Sequence, residues 1–199
     1  MIVAERKPLQ EIKDMLKDAK KVLTVGCGTC VAVCLAGGSK EVGVLNADLK
    51  IARTLAGKPI ELAAATVERQ CDREFLAELD GVVDGYDAMV SMACGVGIQF
   101  LAERFPHIPV FPGVNTTFMG ANQDVGWYEE RCRGCGTCFL GITGGICPVT
   151  MCAKGLQNGP CGGTNSGSCE INQEQPCAWQ AIYERLAKQG RLASIMEIC

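Results

Sequence analysis

The sequence predicts an N-terminal α/β domain built on a parallel, doubly wound sheet, followed by a small, irregular, Cys-rich domain that ends in a helix. Three observations carry this. Short apolar runs alternate with helical patterns over about residues 20–120, as strands and crossover helices of a parallel sheet do. Beyond about residue 125 the composition turns to Gly, Cys and Pro. A last segment, "EQPCAWQAIYERLAKQG", returns to helical spacing. The domains implied are residues 1–125 and 126–199.

Residues 8–20 read as an amphipathic helix, with Pro8 suited to the first turn and Leu9, Ile12, Leu16 and Ala19 at helical spacing. "KVLTVGCG" gives a buried strand, Val22 to Val25, ending in a glycine turn, and residues 29–49 continue as helix, glycine break and further structure. Segments 59–67, 86–94 and 108–115 supply three more strands. Between them "RQCDREFLAELDGVV" and "GVGIQFLAERF" read as helices. The terminal helix places Trp179, Ile182, Tyr183 and Leu186 on one face, with Pro176 near its start and Gly190 as C-terminal cap.

A net charge of −3, with no stretch interleaving basic and aromatic residues, argues against a nucleic-acid partner. The charged start "MIVAERKPLQEIKDMLKDAKK" lacks the apolar core of a secretory peptide, and no window has the run of apolar residues that a membrane span needs. A cytoplasmic protein without membrane insertion is expected. In that compartment disulfides are rare, so a cysteine framework points to metal or redox chemistry.

Of the 14 cysteines, Cys27, Cys30 and Cys34 follow the first strand and Cys94 follows another. Ligands gather beyond the carboxyl ends of strands in such sheets, at a switch in strand order. The fold could bring these four thiols together as a three-plus-one site for a [4Fe–4S] cluster or a structural zinc. "VGCGTCV" is not a dinucleotide-binding turn, because Val31 stands where the third glycine is needed.

"CRGCGTCFLGITGGICP" gives C-x2-C-x2-C-x8-C-P, similar to the bacterial ferredoxin run with a longer gap before its last Cys-Pro. Cys132, Cys135 and Cys138 at this spacing favour iron and sulfide over zinc, whose sites more often pair two C-x2-C knuckles. Cys152, Cys161, Cys169 and Cys177 remain, a number suited to a second cubane. The spacing leaves Cys147 and Cys152 open between the two sets, and one of the sites could hold zinc. Residues 131–170 are too poor in large apolar side chains to build a core of their own, so bound metal is the simplest support. Cys71 and Cys199 are left over and read as structural or incidental. The single histidine, His107, has no acidic or hydroxyl partner nearby in sequence, and no acid–base pair stands out.

The stretch "RCRGCGTCFLGITGGICPVTMCAKGLQNGPCGG", with "SCE" at 168–170 and "PCAWQAIYERL" at 176–186, resembles the C-terminal domain associated with bacterial and archaeal methylenetetrahydrofolate reductases. Together with "VGCGTCVAVCLAGG" and "MACGVGIQFLAE", nearly the whole chain resembles the MetV-type iron–sulfur subunit of the two-subunit reductase of acetogens. The resemblance implies two or three [4Fe–4S] clusters that pass electrons to the FMN of a TIM-barrel partner, which reduces methylenetetrahydrofolate to methyltetrahydrofolate in the reductive acetyl-CoA (Wood–Ljungdahl) pathway. FMN belongs to that partner only. It further implies that Cys27, Cys30, Cys34 and Cys94 form the N-terminal ligand set and Cys132, Cys135, Cys138, Cys147, Cys152, Cys161, Cys169 and Cys177 the C-terminal one. An upstream donor is implied as well: a ferredoxin, a heterodisulfide-reductase-like module or an NADH-oxidising subunit. The chain would be a non-catalytic subunit of an oxidoreductase. In "RLASIMEIC", Leu192, Ile195, Met196 and Ile198 either dock on the flavin subunit or fold back on their own domain.

Two other readings compete. A zinc-stabilised interaction module anchoring the catalytic subunit would be colourless. A corrinoid or methyl-transfer protein would present a histidine in a loop setting that His107 lacks.

Overall fold

The computed structural model describes residues 1–196 and divides into two compact units, residues 1–118 with 122–128, and residues 119–121 with 129–199. In the first unit the order is β1 (Ile2–Arg6), α1 (Leu9–Met15), β2 (Lys21–Cys27), α2 (Cys30–Val33), α3 (Ser39–Leu55), β3 (Glu61–Val67), α4 (Arg73–Leu76), β4 (Ala88–Ser91), α5 (Gly95–Arg104) and β5 (Val110–Pro112). Two further strands, β6 (Val114–Asp124) and β7 (Trp127–Cys132), form a hairpin whose residues are divided between the units.

The parallel sheet runs in the order β3-β2-β4-β5. From β2 the chain crosses to β3 on one side, then returns past β2 to β4 on the other, so the strand order switches between β2 and β4. Successive strand residues point to opposite faces. Val22 and Val90 pack with Ile12, Val42 and Leu49, whereas Leu23, Val25 and Met89 pack with Leu76, Leu79 and Leu101. Both faces are therefore covered, and the expected parallel α/β architecture holds. Burying each such side chain contributes about 1.5–3 kcal/mol. Arg53 is buried within α3, where its guanidinium donates to the carbonyls of Leu16, Lys17, Ala19 and Lys58 at 2.9–3.3 Å. It thereby ties the turn after α1 to the segment before β3, giving the Lys17 and Ala19 carbonyls a donor and the Leu16 carbonyl a second one.

Several expected elements change. The helix at 8–20 is shorter, and the helix over 69–83 shrinks to α4 and a single 3-10 turn, Ala77–Leu79. The strand expected at 108–115 splits at Gly113 into β5 of the parallel sheet and β6 of a second, three-stranded sheet ordered β1-β6-β7. A Cβ on Gly113 would lie 2.4 Å from the Met92 sulfur and 3.0 Å from Val90, so only glycine lets the chain pass there. The hairpin itself was not expected. Its turn, Val125-Gly126, places Gly126 at φ +78 without the usual Asn-Gly or Asp-Gly pair.

The second unit holds α6 (Pro148–Met151), α7 (Ala178–Lys188) and a 3-10 turn, Leu192–Met196. Trp179, Ile182 and Leu186 of α7 are buried with Ile146, but Tyr183 is exposed rather than on that face. Gly190 adopts φ +66, the left-handed conformation of a helix C-cap. In the tail Ile195 packs against the α7 cluster while Met196 is exposed, and Ile198 and Cys199 lie outside the described residues.

Candidate metal centres

The N-terminal candidates gather at the carboxyl ends of β2, β3 and β4. Cys27 is the last residue of β2 and pairs in register with Val67, the last of β3; Val25 pairs with Ser91, the last of β4. Cys30 opens α2, and Cys94 is the residue that caps the start of α5. Close backbone approaches make this arrangement possible. A Cβ on Gly37 would sit 1.7 Å from the Met92 carbonyl oxygen, and one on Gly97 2.7 Å from the Ala93 Cβ and 2.9 Å from the Gln70 Cβ. Glycine at both positions lets α2's trailing turn and α5's first turn close on the strand ends.

Gln70 ties the three ends together. Fully buried, it donates from Nε2 to the carbonyls of Val25 (2.8 Å) and Gly26 (3.1 Å), and its Oε1 accepts the Ser91 hydroxyl at 2.7 Å. Ser91 Oγ in turn accepts the Ala93 amide at 3.3 Å. The segment after β3 is thereby held against β2 and β4. Cys27 Sγ reaches the Glu68 carbonyl of this segment at 3.8 Å. Cys71, the next residue after Gln70, is exposed; partial loss of solvent, and then the charges of Cys27, Cys94 and Cys30, push its thiol up from the ordinary range. Sequence reasoning set Cys71 aside.

Cys34 is oriented differently. Its sulfur is buried against β1, accepting the Ala4 amide at 3.4 Å and donating toward the carbonyls of Ala4 and Val31 at 3.6 Å. Burial pushes this thiol up, partly offset by the backbone groups around it.

In the second unit the structure sorts the eight thiols into two quartets. Cys132, Cys135, Cys138 and Cys147 line one cavity of about 180 Å³ whose apolar wall includes Phe139 and Pro148. Gly134 and Gly136, at φ +62 and +84, supply the left-handed turns that wind the chain around it. The Gly134 amide donates to Cys132 Sγ at 3.4 Å. Cys152, Cys161, Cys169 and Cys177 line a separate cavity of about 20 Å³. There the Gly163 amide donates to Cys161 Sγ at 3.4 Å, and the Lys154–Glu170 ion pair closes the rim. Amides of Asn172 and Ile171, with a smaller effect of Lys154, hold the Cys169 thiol below the ordinary range. Cys147 precedes α6 and Cys152 follows it, so this one-turn helix separates the quartets.

Among the described residues no group of three or more Cys, His, Asp or Glu side chains has the arrangement that would hold a single metal ion, and none of the described cysteines forms a disulfide. The eight thiols of the second unit border cavities instead. All-thiol donor sets with backbone amides on the sulfurs of Cys132 and Cys161 fit an iron–sulfur cluster in chemistry. His107 is exposed on the turn between α5 and β5. No described helix is long and apolar enough to cross a membrane.

Residues 111–199 match the family model described as methylene-tetrahydrofolate reductase C terminal. No curated protein and no solved structure matches the chain.

Proposed function

We propose that the chain is the electron-transfer subunit of a methylenetetrahydrofolate reductase. It holds [4Fe–4S] clusters and delivers electrons to the FMN of a separate TIM-barrel subunit that reduces methylenetetrahydrofolate. The observation that carries this reading is the division of eight thiols into two quartets, each around its own cavity, within the segment that matches a reductase C-terminal family.

Bound clusters would supply one-electron storage at a potential set by cluster charge, hydrogen bonds to sulfur and exposure. The chain's own residues do the rest. Cys132, Cys135, Cys138 and Cys147 would hold one cluster, and the Gly134 amide on Cys132 draws charge from the sulfur, which eases reduction. Phe139 and Pro148 limit solvent at its wall. In the second site, backbone amides of Asn172 and Ile171 favour the thiolate of Cys169, the form that binds metal.

A second reading applies to the Cys152 quartet alone: its all-thiol donors around a 20 Å³ cavity suit a structural zinc that draws them onto one ion, an arrangement they do not have without it. Iron, zinc and acid-labile sulfide content of protein purified without oxygen tests both. About twelve irons with equal sulfide would mean three cubanes, and about eight with one zinc would place zinc in one quartet. Zinc without sulfide would overturn electron transfer.

A further inference from the structure

We propose that Cys71, not Cys34, completes the N-terminal thiol set as Cys27, Cys30, Cys71 and Cys94. This rests on the reading that a cluster is bound at that end of the sheet.

The topology makes the case. β3, β2 and β4 are consecutive parallel neighbours, and each is followed by a cysteine: Cys27 ends β2, Cys71 comes four residues after Val67, and Cys94 comes three after Ser91. Neighbouring parallel strands lie about 4.8 Å apart, so residues beyond their aligned carboxyl ends share one crevice. The segment carrying Cys71 is not free to swing away. Its neighbour Gln70 is pinned to β2 and, across it, to β4 by three buried hydrogen bonds. Gly97 lets α5, which carries Cys94 at its start, pack directly on Gln70. Glu68, three residues before Cys71, offers its carbonyl to Cys27 Sγ.

Cys34 fails the same test. Its sulfur is engaged with Ala4 and Val31 in the core, and the residue as a whole is only 7% exposed. Reaching the crevice would mean leaving a packed site. Cys71 is exposed beside the pinned Gln70 and has no such packed site to leave.

Full-length wild type, Cys71→Ala and Cys34→Ala, purified without oxygen, would be assayed for iron, sulfide and the electron paramagnetic resonance of the reduced protein. Circular dichroism would monitor the fold. Cys71→Ala should lose about four irons, the content of one cubane, or keep them as an altered cluster with a changed resonance spectrum. Cys34→Ala should retain wild-type iron and spectrum. Full iron with an unchanged spectrum in Cys71→Ala overturns the assignment, as does selective loss in a Cys34→Ala protein with wild-type circular dichroism. A wild type without iron overturns the cluster reading itself.

Discussion

The Ser91 hydroxyl donates to Gln70 Oε1 at 2.7 Å, and neither side chain has any exposed surface. This bond joins the end of β4 to the segment after β3, across β2. Leucine at position 70 would fill the space but leave the Ser91 hydroxyl without its acceptor and take a donor from the Gly26 carbonyl and from the Val25 carbonyl, which keeps the Met92 amide. An orphaned buried group costs about 1–3 kcal/mol. Gln70→Leu should therefore lower the thermal midpoint by several degrees, more than Ser91→Ala does, and release iron from the N-terminal site. An unchanged midpoint by differential scanning calorimetry would show that Gln70 does not hold the strand ends.

Two glycines should respond oppositely to alanine. Gly37→Ala would drive a Cβ into the Met92 carbonyl, and the two nearest atoms, at 1.7 and 2.8 Å, belong to backbone that cannot step aside. Little soluble protein is expected. Gly43 lies within α3 with nothing near its would-be Cβ, so Gly43→Ala should stabilise by about 0.5–1 kcal/mol through helix propensity. Expression yield and urea midpoints distinguish the two.

Loss of one thiol should act on its own quartet. Cys135→Ser is expected to remove or alter the metal of the Cys132–Cys147 cavity, and Cys161→Ser that of the Cys152–Cys177 cavity, each leaving the N-terminal site intact. Metal analysis with resonance spectra of the two variants would show different species missing. Identical losses would contradict the division into quartets.

Asp87 accepts the amides of Lys20 and Lys21, both at 2.8 Å, and these bonds hold its carboxyl below the usual carboxylate range. The folded value is depressed, so the stability it contributes is present above the ordinary value of 3.8 and is lost as pH falls through the folded one. Asp87→Asn should be less stable than wild type near neutrality, with the difference closing below about pH 4. Urea midpoints of the metal-free proteins across that range check the sign.

Much of the α/β unit was legible because its strands are short apolar runs between glycine turns, and because Cys27 and Cys94 sit where such strands stop. β1 escaped notice: only Val3 and Ala4 of its five residues are buried, and Glu5 and Arg6 disguise it. Cys71 was obscured by its neighbours. "ERQCDRE" has the charge density of a solvated helix, yet the helix starts only at Arg73, and Gln70 is polar but wholly buried. No local pattern reports a polar side chain whose partners are the carbonyls of Val25 and Gly26. In the Cys-rich unit the thiols were evident from spacing, whereas their sorting depended on where α6 ends, which four residues cannot signal by periodicity.

That short helix links the two C-terminal centres thermodynamically. α6 is four residues long, with Cys147 before it and Cys152 after it, and a helix of this length does not persist alone in water. Whichever quartet is filled first fixes α6 and thereby orders a ligand of the other, so the second filling costs less conformational entropy. Under the proposed reading, the second quartet of this unit should therefore fill more readily than the first, while each still keeps its own metal when the other is emptied.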